Sequence, residues 1–312
     1  MPPVSIPKDV AQRVVAVFAE RGVEWLEQFP RLVADLAAQW QLIEIGIPFP
    51  GTRAGFVAPV VGPTGREMVL KISPAPAEIR HEALALEYWG GRGAVRLEAT
   101  DSSRGALLLE RVVPGHSLEA LALSDDRAAT EVASGVIAEL QCVGSPPPKD
   151  LPTIETWLVS LQLSARPDAP GQLAQVCREA QVVAHDLLCT SDDWVVLHGD
   201  LHHDNVLSVG HEGWIATDPK GLLGPHELET AALLRNPRHH VLAQSDPAAL
   251  IRSRILVLTK RLGYDPRRMA QWGFVLAALA ATWALEDGEG EREVDRWLSC
   301  AAVLREADIL AS

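Results

Sequence analysis

Asp200, Asn205 and Asp218 have the side-chain types and the spacing that phosphoryl transfer from a metal-bound nucleotide requires. The first two lie in the run His198–Asn205, which reads His-Gly-Asp-Leu-His-His-Asp-Asn, and the third lies in Thr-Asp-Pro-Lys. A carboxylate accepts the hydrogen bond of an attacking hydroxyl, whereas an amide oxygen and a second carboxylate are hard ligands for Mg²⁺. The pattern therefore predicts Asp200 as the catalytic base, Asn205 and Asp218 as metal ligands, and ATP and Mg²⁺ as cofactors.

A cation that could hold the phosphates of ATP lies far upstream. Lys71 falls in the apolar run Met-Val-Leu-Lys-Ile, which is typical of a strand, and a helix is predicted over 77–89. We expect Lys71 to reach the α- and β-phosphates while Glu82 of that helix holds the long side chain. A lysine closing a strand is usually solvated, and Glu78 and Glu87 are alternative partners on the same helix.

The first third of the sequence changes from a helical to a strand-and-turn character. Its first forty residues carry apolar positions four residues apart in two segments, the second opened by Pro30. Short apolar stretches broken by glycine and proline follow over 43–73, and a further strand over 107–113 ends at Pro114. We predict an N-terminal lobe at 1–113, made of a helical preface and a small antiparallel sheet.

Helices are predicted for most of the remaining sequence. Ser-Asp-Asp at 124–126 caps one helix, and an apolar stripe over 173–187 precedes the strand at 194–197, so the catalytic motif follows a strand. Proline or acidic residues open the last helices. These are predicted at 247–261, 266–285 and 291–307. The result is a mainly helical C-terminal lobe at 114–312, and an α+β class for the whole chain.

Composition and charge limit the classes of partner. The 312 residues are 47% hydrophobic and carry a net charge of −13, which disfavours nucleic acid. This acidity would favour a cationic small molecule, or it would serve only to keep the protein soluble. The longest apolar run, 272–285, is too short to span a bilayer, so no membrane partner is expected. The four cysteines are scattered and are interpreted as reduced core thiols. We expect a cytoplasmic protein.

The motifs together resemble those of the aminoglycoside phosphotransferases, and more narrowly the aminoglycoside/hydroxyurea resistance kinase group. The matching segments are His-Gly-Asp at 198–200, Val-Leu-Lys-Ile at 69–72, His-Glu-Ala-Leu-Ala-Leu at 81–86, Leu-Glu-Arg at 109–111, Asp-Pro-Lys-Gly at 218–221 and Asn-Pro at 236–237. The resemblance implies a protein-kinase-like two-lobed fold, with adenine bound along the backbone from Glu110 to Val112. It also implies O-phosphorylation of a small-molecule hydroxyl.

A small acceptor fits this sequence better than a protein substrate. Gly199 stands where protein kinases carry an arginine, and a helix containing Glu227 and Glu229 is predicted soon after Asp218, which leaves little room for a peptide-docking segment. Acidic residues crowd between the last two helices over 286–295, where they would attract a cationic sugar or act only as solvated caps. A streptomycin-type aminoglycoside is the preferred acceptor, with hydroxyurea or an ordinary metabolite as alternatives.

Two other classes of protein and one further phosphate-binding segment have weaker support in the sequence. His202 and His203 could bind metal in a metallophosphoesterase, but that class also needs a further Asp-x-His upstream and a Gly-Asn-His downstream, and neither occurs. A P-loop is excluded, because Gly-x-x-x-x-Gly-Lys-Ser/Thr is absent. Gly-Thr-Arg-Ala-Gly at 51–55 could arch over phosphates or form a plain hairpin turn.

Overall fold

The computed structural model describes residues 6–50, 55–165, 171–211 and 213–309. They fall into two compact units. The N-terminal unit contains the described residues up to Gly91 together with Val95–Val113. The C-terminal unit contains Arg92–Ala94 and the described residues from Pro114 onward.

The N-terminal unit is built on a five-stranded antiparallel sheet. Its elements are α1 (Lys8–Gln39), β1 (Glu44–Ile45), β2 (Phe56–Val61), β3 (Glu67–Ile72), α2 (Pro76–Trp89), β4 (Leu97–Asp101) and β5 (Ala106–Glu110), with a 3-10 turn at Ser102–Arg104. The strand order is β1-β2-β3-β5-β4. This confirms the small antiparallel sheet and the helical preface.

Alternation along the strands decides which side chains enter the core of this unit. Met68, Leu70 and Ile72 of β3 are buried in a cluster that includes Phe29 and Leu36 of α1. Because successive side chains of a strand point to opposite faces, Lys71 lies on the other face of the sheet. The apolar period of β3 therefore fixes the face on which its lysine lies.

Two predicted boundaries differ from the structure. Pro30 lies inside the long helix α1 and does not open a new one, whereas the non-helical backbone of that helix is at Ala19. The strand predicted over 107–113 ends at Glu110, and Pro114, predicted as a turn, begins the strand β6 (Pro114–Ser117), which pairs with a strand of the C-terminal unit. Local turn propensity was overridden there by pairing with a partner distant in sequence.

The C-terminal unit is mainly helical. After β6 its helices are α3 (Glu119–Ser124), α4 (Asp126–Gln141), α5 (Ile154–Leu158), α6 (Gly171–Cys189), α7 (Ala231–Arg235), α8 (Arg238–Leu242), α9 (Pro247–Leu262), α10 (Pro266–Glu286) and α11 (Glu291–Ile309). Its other strands are β7 (Trp194–Leu197), β8 (Val206–Val209), β9 (Gly213–Ala216) and β10 (Leu222–Pro225). Short 3-10 helices occupy Val159–Ala165, His203–Asn205 and His226–Thr230.

Helix α10 forms the centre of this unit. It packs against α6, α7, α9 and α11, and its residues are buried along nearly its whole length. A helix that is apolar on all sides belongs in the middle of a helical core, which explains the long apolar run in the sequence. Within the described ranges, no helix combines the length and the apolar character needed to cross a bilayer.

Candidate active site

Two short antiparallel ladders bring the halves of the catalytic motif together. In the β8–β9 hairpin Val206 pairs with Ala216, and the Thr217 amide donates to the Asn205 carbonyl at 2.9 Å, extending that ladder by one step. In the other ladder β7 pairs with β10, with Leu197 opposite Leu222. The loops at 198–205 and 217–221 therefore lie side by side where they connect the two ladders. The residue preceding Asp218 is bonded to Asn205.

The backbone of Asp200 is fixed from both sides. Its amide donates to His198 Nδ1 at 3.3 Å, and its carbonyl accepts from the His202 amide and from Asn205 Nδ2, each at 2.9 Å. The carboxylate is 29% exposed, so it remains accessible while its backbone is held. This is the arrangement expected of a base that must meet an incoming hydroxyl.

Asn205 is bonded to the residue that precedes Asp218, and both side chains carry oxygen atoms that can bind a cation. Asn205 is buried, and its amide nitrogen is used by the Asp200 carbonyl, which leaves its oxygen as the donor for a cation. Asp218 is partly exposed and has a φ of 60°, a left-handed conformation uncommon outside glycine. Lys220 Nζ lies 3.8 Å from its carboxylate. One carboxylate and one amide fit Mg²⁺, which usually takes one or two protein carboxylates and completes its shell with phosphate and water.

His198 connects the two loops. The Nε2 atom of His198 lies 2.8 Å from the Thr217 carbonyl, and the backbone carbonyl of His198 accepts from the Lys220 amide at 2.8 Å. Since Nε2 faces an acceptor and Nδ1 accepts from Asp200, the ring is neutral with its proton on Nε2. Complete burial lowers the pKa of His198 to about 4, which agrees with that form. The prediction that His198 packs and hydrogen-bonds within the loop is confirmed.

Glu229 is a further member of this site, and the sequence analysis counted it only as part of a helix. Its carboxylate accepts from the amides of His198 at 2.7 Å and Gly199 at 3.1 Å. Burial raises the pKa of Glu229 to about 7. The hydrogen bonds from the two amides act to lower this pKa, and the Asp200 charge acts to raise it. The signal in the sequence was an acid inside the apolar run Leu-Glu-Thr-Ala-Ala-Leu-Leu. An acid at such a position needs a buried partner.

In the N-terminal unit, Lys71 and Glu82 form an ion pair. Lys71 Nζ lies 2.6 Å from Glu82 Oε2, and the side chains are 17% and 5% exposed. Glu78 and Glu87, the alternative partners, are exposed on the same helix. The structure thus joins the two residues chosen from the sequence, while their role toward a nucleotide stays a prediction.

The segment predicted to bind adenine begins at the last residue of β5. The Glu110 amide donates to the Arg96 carbonyl at 3.0 Å, and its carboxylate accepts from the Arg96 amide at 2.7 Å. The Glu110 amide is therefore already bonded, Val112 is half-buried, and adenine binding along this backbone stays a prediction. The other proposed nucleotide element, the glycine-containing segment 51–55, lies outside the described residues except for Gly55.

The remaining candidates have mainly structural surroundings. His203 is buried, and burial lowers its pKa to about 3. Among the described residues no three His, Cys, Asp or Glu side chains are grouped as a metal site would need, which gives no support to the two-metal phosphoesterase. Within the acidic segment 286–295, Glu293 pairs with Arg238 and Arg296.

Comparison with known families decides between the remaining classes. The family model for aminoglycoside/hydroxyurea antibiotic resistance kinases matches residues 39–288. The chain belongs to this family.

Related kinases cover nearly the whole chain. A streptomycin 6-kinase of Streptomyces glaucescens is 32% identical over 291 residues, which are 91% of this chain and 92% of that protein. A hydroxyurea phosphotransferase of Kitasatospora aureofaciens is 33% identical over 299 residues, covering 93% and 84% respectively. Among solved structures, the choline kinase LicA from Streptococcus pneumoniae aligns with a TM-score of 0.66 at 12% identity, covering 90% of this chain and 99% of that one. The predicted kinase-like α+β fold of this resistance kinase is confirmed.

Proposed function

We propose that this kinase transfers the γ-phosphoryl group of ATP to a hydroxyl of a streptomycin-type aminoglycoside and thereby inactivates the antibiotic. The observation that carries the proposal is the catalytic motif, in which an accessible Asp200 is bonded through its carbonyl to Asn205, and Asn205 to the residue before Asp218. The family of this chain, and the similarity of the chain to a streptomycin 6-kinase, support the reaction and the class of acceptor.

Each residue has one task in this reaction. Asp200 accepts the hydrogen bond of the acceptor hydroxyl, orients its lone pair toward the phosphorus and takes the proton as the new bond forms. Lys71, held by Glu82, binds the non-transferred phosphates. The backbone from Glu110 to Val112 would bind the adenine.

Asn205 and Asp218 would hold Mg²⁺. The ion, when bound, would neutralise charge on the phosphates. Asn205 accepts a backbone hydrogen bond from Thr217, the residue that precedes Asp218, just beyond the end of the β8–β9 ladder. His198 joins the two loops that carry these residues, since its ring contacts Asp200 in one loop and Thr217 in the other.

The charge of the chain favours a cationic acceptor. The net charge of −13 would attract a guanidinium- or ammonium-bearing sugar to the protein. Hydroxyurea is a second candidate, because a hydroxyurea phosphotransferase is as similar to this chain as the streptomycin kinase is. Hydroxyurea is neutral and small, so the two acceptors differ in the property that the acidic surface would select.

An acceptor panel with radiolabelled ATP tests the proposal. Streptomycin, hydroxyurea, choline and a simple sugar are each incubated with the protein and Mg²⁺, and phosphorylated product is separated and counted. We expect the highest kcat/KM with streptomycin, falling as ionic strength rises because charge attraction is screened. Transfer to hydroxyurea or choline alone would replace the aminoglycoside assignment.

Asp200→Ala serves as the control for chemistry. Loss of the base should lower kcat by roughly 1,000-fold while the Mg-ATP affinity, measured by calorimetry, stays within a few-fold of the parent. Activity near the parent level in this variant would contradict the assignment of Asp200.

A further inference from the structure

Arg235 is a buried arginine beside the catalytic loop that has no task in the reaction described above. It is the last residue of α7, and only 7% of its surface is exposed. Its Nη2 lies 3.9 Å from Asp200 Oδ1. The guanidinium thus faces the side chain that takes the proton. The Glu229 carboxylate, on the same segment, instead binds backbone amides of the loop.

The rest of the guanidinium lies in a site that gives it little compensation. Nε and Nη1 are buried and make no hydrogen bond with any described residue. Burial lowers the pKa of Arg235, and the charge of Asp200 acts in the opposite direction. Leaving two donors of a charged group unsatisfied is costly, so a purely structural role would be better served by an apolar side chain.

The backbone on both sides of Arg235 is fixed by another arginine, and an aromatic ring lies against its side chain. Arg254 Nη1 donates to the carbonyls of Leu233 at 2.8 Å, Leu234 at 3.2 Å and Asn236 at 2.5 Å, so the end of α7 is fixed on both sides of Arg235. The Trp297 ring lies under the guanidinium, with its centroid 5.6 Å from Cζ. The backbone that carries the guanidinium is therefore fixed next to the catalytic loop.

We propose that Arg235 is a positioning residue that directs the Asp200 carboxylate through Oδ1, leaving Oδ2 for the acceptor hydroxyl. The nearest contact of the guanidinium is with Oδ1, at a 3.9 Å separation that is longer than the 2.7–2.9 Å of a charge-assisted hydrogen bond. Arg235 therefore supplies charge on the Oδ1 side and leaves Oδ2 to react. The proposal rests on the proposed function, because Asp200 must be the base for its orientation to matter.

Three variants test this inference. Arg235→Met should lower kcat with streptomycin by roughly 100-fold, with the KM values for ATP and acceptor within about 3-fold, because misplacing a catalytic group affects the chemical step. Arg235→Lys keeps a charge in the site and should recover about 10-fold of that loss. Arg238→Met is the matched control, since Arg238 also lies over Trp297, at 4.2 Å, but pairs with Glu293 and not with Asp200.

The outcomes separate this inference from the proposed function. If the unaltered chain phosphorylates no acceptor, the proposed function fails. If the unaltered chain is active, positioning is overturned by a parent-like kcat in Arg235→Met, or by an equal loss in Arg238→Met. Calorimetric titration of Arg235→Met with Mg²⁺ and a non-hydrolysable ATP analogue should give parent-like affinity, and a loss above about 10-fold would instead make Arg235 a phosphate ligand. Parent-like melting temperatures of both Arg235→Met and Arg235→Lys exclude misfolding as the cause.

Discussion

Two buried glutamates, one in each unit, hold functional groups in different ways. Glu82 is paired with Lys71, a cation whose side chain is 17% exposed. Glu229 accepts from the backbone amides of His198 and Gly199, and no cation of the described ranges lies within ion-pair distance of its carboxylate. A carboxylate balanced by a cation keeps its charge at low cost, whereas one that binds only amides is strongly affected by burial.

This difference indicates where the protein is sensitive to pH and to mutation. The Lys71–Glu82 pair presents a charge and tolerates some water, so its replacement should alter nucleotide binding more than folding. Glu229 lies under the catalytic loop, so its replacement should alter folding and catalysis together. The following experiments test that contrast.

Glu229→Ala should have the largest effect on stability. Two buried amides would lose their acceptor, and each unsatisfied group costs about 1–3 kcal/mol, so the free energy of unfolding should fall by about 4 kcal/mol. Urea denaturation measures it. Glu82→Ala is the comparison, and it should cost less because Lys71 reaches water. An equal or larger loss in Glu82→Ala would remove the distinction.

The pH dependence of stability gives a sharper test of Glu229. Its pKa is raised to about 7 from 4.5, so its contribution is fully present below pH 4.5 and is lost as pH rises through 7. His198 has the opposite sign: its pKa is lowered to about 4 from 6.5, so its contribution is present above pH 6.5 and is lost as pH falls through 4. The two slopes oppose each other between about pH 4.5 and 6.5.

Glu229→Gln removes one of these slopes. In the unaltered chain the two groups nearly cancel, whereas the variant should lose about 3 kcal/mol relative to its own stability at pH 6.5 as pH falls to 4. Denaturation curves at several pH values measure this. A variant whose curve runs parallel to that of the unaltered chain would show that Glu229 does not titrate in this range.

The sequence predicted those parts of the site that depend on local pattern. Residue type and spacing selected Asp200, Asn205 and Asp218 as candidates, and the period of β3 predicted the face of Lys71, because a strand and a hairpin bring such residues together over short distances. Glu229 and Arg235 lie on a segment that contacts the catalytic loop only through the fold. Nothing in their spacing shows which loop they face, although a charged residue in an apolar run marks both as requiring a partner.

The same reasoning explains the boundaries that were wrong. Pro30 is favoured at the start of a helix, yet α1 continues through it with Phe29 and Val33 in the core on either side. Pro114 is favoured in a turn, yet it begins an edge strand paired with β8. In both places packing or pairing with distant residues outweighed a local preference of proline.

The smallest expected effect concerns the first unit alone. Glu82→Gln keeps the shape of the side chain but removes its charge, so Lys71 should be held less firmly and the KM for ATP should rise roughly 10-fold. The KM for the acceptor should not change, since the pair belongs to the unit that lacks Asp200. Glu78→Gln, an exposed position on the same helix, is the control and should match the unaltered chain. If both variants raise the KM for ATP alike, helix charge in general and not the Lys71–Glu82 pair governs nucleotide binding, and the functional contrast between the two glutamates is lost.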